Sequence, residues 1–424
     1  MATALDAMYA VTEKPMVQNR AKQTTISPSL QNMTAADLPL LADSPDAIQP
    51  SVAPEPVLTR HRASLGALTG LRFFAASYVI IFHTRLGVLF DTRGYHLVGN
   101  FLGNGYLAVP LFFMLSGFIL AYNYCGQVGS LNQSCRFWEA RFARIWPAYM
   151  FSLICSSFPL SNIPPLPIAV SIICMLQSWN IFHPEYAGGW NMVCWTLSVE
   201  AFFYLVFPLL QRGLEKARVL GSLLFGLGVL LVAFFCNTPY HNFTMRYPGP
   251  WFYIPAPVIH LPEFITGVIV GNLFLQWHQR SVGTSSTKAP RTGALGRFPF
   301  LTLFGFIGAS LILCTPRGHW EGLILPLFGV FLFGLASERT QLSRFLSTRL
   351  LVLGGEISYA MYLLRTPLQQ WVLAIPSVQI RHVVEALYLP FGLVPFSLLC
   401  FYFVEGPSRR ALRRLFAAMQ GARA

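Results

Sequence analysis

Leu71-Arg72-Phe73-Phe74-Ala75-Ala76-Ser77-Tyr78-Val79-Ile80-Ile81-Phe82-His83 is an apolar run with an arginine at one end and a histidine at the other. Arg72 and His83 are eleven residues apart. On an α-helix that is about three full turns, so both lie on one face, roughly 16 Å apart along the axis. Between its two ends the run is almost continuously apolar. Whether it is a soluble core helix or a membrane span depends on the rest of the chain. Of 424 residues, 54% are hydrophobic and only 11% charged, and mean hydropathy is +0.51. Ordinary soluble domains carry about 25% charged residues. So little charge cannot cover a soluble surface. This excludes a cytosolic enzyme, a disordered protein and a disulfide-stapled secreted domain.

A helical span needs about 20 apolar residues. Such segments lie near 71–90, 105–124, 143–160, 190–211, 219–237, 256–277, 298–315, 320–337, 350–373 and 385–405. The expected fold is therefore all-α, a polytopic transmembrane bundle of about ten spans. The apolar piece at 166–180 is short and reads as a re-entrant or interfacial helix. Residues 1–64 are polar, without a signal-peptide core, and read as a disordered cytoplasmic tail. Residues 65–410 form the membrane domain, and 411–424 a basic cytoplasmic tail.

Charge fixes the orientation. With ten crossings and an inside start, 23 of the 30 Lys and Arg fall inside and four outside, while Arg72, Arg85 and Arg365 fall within spans. Basic loops favour the cytoplasmic side. Both termini are thus expected in the cytoplasm and the protein in the plasma (inner) membrane, surrounded by membrane lipid. A crossing at 166–180 would turn every later basic loop outward. The net charge of +13 is accounted for by these loops, and no nucleic-acid partner is expected. The eight cysteines form no C-x-x-C pair. They read as small buried hydrophobes, and no metal site is expected.

Ionisable groups inside a bilayer are costly and mark functional candidates. His83 is one, with Arg72 on its face. Arg141 and Arg144 are an i,i+3 pair, either topological anchors or a clamp for phosphate groups. Ser116-Gly117 marks close helix packing or a site. Glu200 sits in an apolar helix one turn after Thr196 and needs a partner in the bundle, with His83 or an intramembrane arginine the candidates. Glu263 is similar. Glu356 and Arg365 bracket the ninth span.

In order along residues 65–410 these strings resemble the acyltransferase 3 family of integral-membrane O-acyltransferases. Arg72-x10-His83 is similar to its first-span signature. Phe112-Phe113-x-x-Ser116-Gly117 is similar to its second-span motif, and Arg141-x-x-Arg144 followed by Pro147 to its third-span entry. Trp195-Thr196-Leu197-Ser198-Val199-Glu200, Gly354 to Leu364 and Glu405-x-Pro407 resemble later family strings. The resemblance implies transfer of an acyl group, often acetyl, from cytoplasmic acyl-CoA to a hydroxyl. Acceptors in the family include sugars, lipid-linked glycans and natural products. Acyl-CoA would be a co-substrate, with no permanently bound cofactor. His83 and Glu200 would be catalytic, His83 as general base and Glu200 fixing its tautomer. Arg72, Arg141 and Arg144 would hold the donor. Ser116, Trp195, Tyr359 and Arg365 would line the substrate site. A histidine commonly follows Tyr-Leu-Leu in the family, and Arg365 stands there instead. It would hold an anionic acceptor or pair with Glu356 or Glu200. The competing reading is a transporter or flippase of glycan intermediates. Repeated halves with matching broken helices often mark transporters, and no such repeat is found.

Overall fold

The computed structural model describes residues 62–84, 86–158, 163–180, 189–246, 254–283, 300–316, 321–338, 340–375, 377 and 388–421. The proposed tail of residues 1–64 lies outside them up to residue 61. Among the described residues every regular element is helical. The elements are α1 (Arg62–His83), α2 (Leu86–Thr92), α3 (His96–Gly103), α4 (Ala108–Tyr124), α5 (Leu131–Ser156), α6 (Leu166–Ile173), α7 (Trp195–Lys216) and α8 (Val219–Arg246). They continue with α9 (Ala256–Ile259), α10 (Leu261–Gly283), α11 (Phe300–Leu313), α12 (Ile324–Ser337), α13 (Gln341–Leu346) and α14 (Arg349–Leu373). The last run is α15 (Val394–Leu399) between π-helical turns, then α16 (Gly406–Gly421).

Five segments are long and apolar enough to cross a membrane: Gly66–His83, His96–Tyr124, Met192–Lys216, Ala256–Arg280 and Phe391–Gln420. The other five expected spans fall on helices of two kinds. Val219–Phe234, Phe300–Leu313 and Ile324–Ser337 are apolar but shorter. The helices α5 and α14 are 26 and 25 residues long, but arginines and glutamates interrupt them. The chain is an integral membrane protein with several apolar helices, and ten crossings remain our proposal for it. The piece at 166–180 contains α6, eight residues long. At 1.5 Å per residue that is about 12 Å, well short of the ~30 Å hydrocarbon core. After it the chain turns at Cys174 and Met175, where Met175 has φ +57°. Reporter fusions after Gln211 and after Arg280 should both report cytoplasm. An external signal at either would overturn the ten-crossing path.

The first helix differs from its expected limits. It starts nine residues before Leu71 and stops at His83 instead of running to residue 90. Its early part, Leu65-Gly66-Ala67-Leu68-Thr69-Gly70, is less continuously apolar, yet Ala67 and Leu68 are fully buried. Small residues there permit close approach to a neighbour. A Cβ on Gly355 of α14 would lie 1.8 Å from the Thr69 carbonyl oxygen, so the two backbones touch. The stop is local: Thr84 Oγ1 donates to the Ile81 carbonyl at 2.6 Å. Arg72 therefore lies mid-helix and His83 at the helix end. Backbone cannot yield as a side chain can, and overpacking costs about 1–3 kcal/mol or more. Gly355→Val should lower the melting temperature of purified protein sharply or prevent accumulation. Gly228→Ala, with nothing within 4 Å of the added Cβ, should leave it unchanged.

Local signals explain the helices that carry the site. Ser130 caps α5 in a reciprocal box: its Oγ accepts from Gln133 N at 3.3 Å, and Gln133 Oε1 accepts from Ser130 N at 3.0 Å. Asn191 is fully buried and precedes α7. Its Nδ2 donates to the Leu363 carbonyl at 3.0 Å, tying the start of α7 to α14.

Candidate active site

A cavity of about 100 Å³ lies between α1, α4, α5, α7 and α14. That is room for several waters or a small acyl group, not for a whole nucleotide. Arg72, Ser116, Arg141, Arg144, Glu200 and Tyr359 all line it. Six of the nine site residues expected from sequence thus come together from five helices.

Glu200 is the carboxylate of the cavity. Its Oε1 accepts from Ser116 Oγ at 3.2 Å and from the Tyr204 hydroxyl. Tyr204 is one turn along α7, an i,i+4 partner on the same face. Arg72 lies within electrostatic range of Glu200, Tyr204 and Arg144. Among the described residues Glu200 makes no hydrogen bond to His83, and its observed partners are Ser116 and Tyr204. Ser116 and Gly117 meet different neighbours. Ser116 bonds Glu200, while a Cβ on Gly117 would meet the Phe264 carbonyl oxygen of α10 at 2.4 Å.

Arg141 is 9% exposed. One terminal nitrogen donates to the Tyr124 hydroxyl at 2.9 Å. Its guanidinium carbon stands 5.2 Å from the Tyr124 ring centroid and 5.9 Å from that of Phe137. These rings hold the cation in place. Its Nε is buried without a hydrogen-bond partner among the described residues. Burying a donor unpaired costs about 1–3 kcal/mol, which an anionic ligand would relieve. Pro147, three residues beyond Arg144, has no N–H for the Ala143 carbonyl. The Tyr359 hydroxyl donates to the Ile145 carbonyl at 2.8 Å, joining α14 to α5 at that level.

His83, Trp195 and Arg365 do not line this cavity. Arg365 is 3% exposed, donates to Gln369 Oε1 at 2.7 Å, and is the charged group in electrostatic range of His83. Among the described residues it makes no ion pair with Glu356 or Glu200. Tyr362 connects the two places: it lines the cavity, accepts from Thr196 Oγ1 at 3.3 Å and lies within range of Arg365. Trp195 packs edge-on against Phe113, with centroids 6.5 Å apart, and lies 5.4 Å from the His260 ring. Glu263, 2% exposed, has His260 Nδ1 at 3.2 Å as its partner.

Sequence reasoning did not place Tyr204, Tyr362 or Tyr124 in the site. Tyr204 was findable, since i+4 from a buried glutamate is a standing partner position. Tyr124 meets Arg141 only through the turn between α4 and α5, and no local spacing signals that contact. Cys125, Cys135, Cys155, Cys174, Cys194, Cys314 and Cys400 are free.

Comparison with known proteins places the chain. A family profile described as an acyltransferase domain matches residues 65–405. Acyltransferase MdmB of Streptomyces mycarofaciens is 28% identical over 327 residues, 70% of this chain and 82% of that protein. O-acetyltransferase OatA of Staphylococcus aureus is 25% identical over 333 residues, 72% of this chain and 50% of its own length. Peptidoglycan O-acetyltransferase OatA of Listeria monocytogenes is 28% identical over 157 residues, covering 32% of this chain and 25% of that protein. The match thus spans about half of the staphylococcal protein and a quarter of the listerial one. No solved structure matches the chain.

Proposed function

The chain belongs to the acyltransferase domain family, and on that premise we propose that it moves an acyl group, acetyl in the first instance, from acyl-CoA to a hydroxyl. The acceptor is a glycan, a glycolipid or a natural product. The similarity to a peptidoglycan O-acetyltransferase supports the glycan part of this range. The observation that carries the donor assignment is the convergence of Arg72, Arg141 and Arg144 on one cavity, with a buried Arg141 Nε unpartnered beside it. Guanidinium groups suit phosphate.

His83 is the general base. About 16 Å of helix separates it from Arg72, a gap for the extended pantetheine arm of the donor. The phosphates sit at the arginines, the arm follows the α1 stripe past Tyr362, and the thioester reaches His83. His83 takes the proton from the acceptor hydroxyl. The hydroxyl oxygen bonds to the thioester carbon, and the C–S bond breaks. Coenzyme A leaves as a thiol, carrying the proton from His83. Arg365 stands beside His83 for the negative charge that develops on the carbonyl oxygen. Glu200 works on the donor side, holding Ser116 and Tyr204 and countering Arg72. The protein lies in the plasma membrane with both termini in the cytoplasm, where acyl-CoA is found.

The acceptor class is tested by mass spectrometry of glycans, lipids and small metabolites from cells with and without the chain. An acyl ester present only with the chain is expected. Identical acylation in both would contradict the reading.

A further inference from the structure

The C-terminal helix α16 lies along α5. Phe416 meets Phe142 with ring centroids 6.5 Å apart, and Gln420 Nε2 donates to Glu139 Oε2 at 2.6 Å. On a helix, positions 409, 413, 416 and 420 fall within one narrow stripe. Arg409 and Arg413 therefore share the face that Phe416 and Gln420 turn to α5. Leu415 and Met419, 54% and 48% exposed, mark the lipid side. Arg410 and Arg414 lie on a third side.

Toward the cavity, Arg409 is within electrostatic range of Arg141, Arg144, Arg413 and Glu405. Glu405 is in range of Arg72, Arg144, Arg409 and Glu356. Five guanidinium groups (Arg72, Arg141, Arg144, Arg409, Arg413) thus gather around three carboxylates (Glu200, Glu356, Glu405). Among the described residues none of these arginines makes an ion pair with those carboxylates. Arg409 Nε is buried without a hydrogen-bond partner, as Arg141 Nε is. Like charges collected around unpaired donors are a standing cost, unless a polyanion enters between them. The cavity is too small for a nucleotide, so with the bridging phosphates at the arginines that line it, the adenosine end with its 3′-phosphate must lie outside it. The α5–α16 face is the charged surface that continues from it.

We propose that α16 is the outer wall of the donor site, where Arg409 and Arg413 hold the 3′-phosphate of the donor's nucleotide. This rests on the acyl-CoA reading above. The same chemistry would suit a lipid phosphate, but Arg409 and Arg413 face α5 and not the lipid side.

The test is equilibrium binding of coenzyme A and of dephospho-coenzyme A, which lacks the 3′-phosphate, to the full chain in nanodiscs. The wild type should bind coenzyme A at least tenfold more tightly. The Arg409→Gln, Arg413→Gln protein should lose that preference, with affinity for the dephospho form unchanged. The Arg410→Gln, Arg414→Gln protein, with the same charge removed, should keep it. Arg409→Lys, Arg413→Lys should retain most of it, which guards against a folding defect. Equal preference in the Arg409/Arg413 and Arg410/Arg414 glutamine proteins overturns the proposal, as does a wild type without preference. So does a loss confined to nanodiscs containing phosphatidylglycerol and absent in phosphatidylcholine, which would make α16 a lipid site. A wild type that binds neither form defeats the acyl-CoA reading itself. Normal wild-type binding with unaltered variants defeats only the role of α16.

Discussion

His83→Ala should insert normally, still bind acyl-CoA and lose nearly all transfer. A hydroxyl is a poor nucleophile at neutral pH until its proton is accepted. Histidine has an unperturbed pKa near 6.5, so its neutral form is available as a base. General-base catalysis is typically worth 10²–10⁴ in rate, and a loss of that order is expected in kcat with little change in donor affinity. The position of His83 makes the separation clean. It ends α1, lies away from the cavity lined by the arginines, and supports no hydrogen bond among the described residues on which folding depends. Ile81→Val, two residues earlier on the same helix, should be almost silent. The rival role for His83 is covalent carriage of the acyl group. Acetyl trapped on His83 in the absence of acceptor would favour that rival. Near-normal turnover by His83→Ala would refute both roles.

The second large effect is on donor binding. In a properly inserted Arg141→Ala, Arg144→Ala protein, affinity for acyl-CoA should fall by two orders of magnitude or more. A hydrogen bond to a charged group is worth about 1.5–3 kcal/mol, and two such bonds correspond to on the order of 10² or more in affinity. Protein abundance should change far less than affinity, because neither arginine makes an ion pair among the described residues. Unchanged donor affinity would reduce the pair to topological anchors. The reading that these arginines only enforce basic-inside topology makes the opposite prediction: insertion fails and binding per inserted molecule is intact.

The helical class was legible because apolar runs of span length have few structural alternatives. Site membership was legible where two chemical groups share one helix face. Arg141 with Arg144, and Glu200 with Thr196, are of this kind and line one cavity, whereas of the pair on α1 Arg72 lines it and His83 does not. What each group touches was not. Glu200 looked toward His83 in the sequence, yet Ser116 from α4 and Tyr204 from its own helix hold it. Helix rotation and depth decide such pairings, and residue spacing does not encode them. The end of α1 at His83 was missed because apolar residues continue past it. The early start was missed because Gly66, Thr69 and Gly70 dilute hydropathy, although small residues are what bring α14 against α1. The span count was the least legible feature. In α5 and α14 the arginines and glutamates lower the very hydropathy by which a span is recognised. The convergence of α16 on the arginines of α5 joins residues far apart in the chain and left no local trace.

The central claim is transfer of an acyl group from acyl-CoA to a hydroxyl by this chain. It is tested most directly by incubating membranes of the source cells with acetyl-CoA labelled in its acetyl group. Membranes of the same cells lacking the chain, and of cells carrying only His83→Ala, serve as comparison. The account predicts label in an ester released by mild alkali, present with the wild-type chain and nearly absent in both comparisons. Equal alkali-labile label in all three membranes would contradict it.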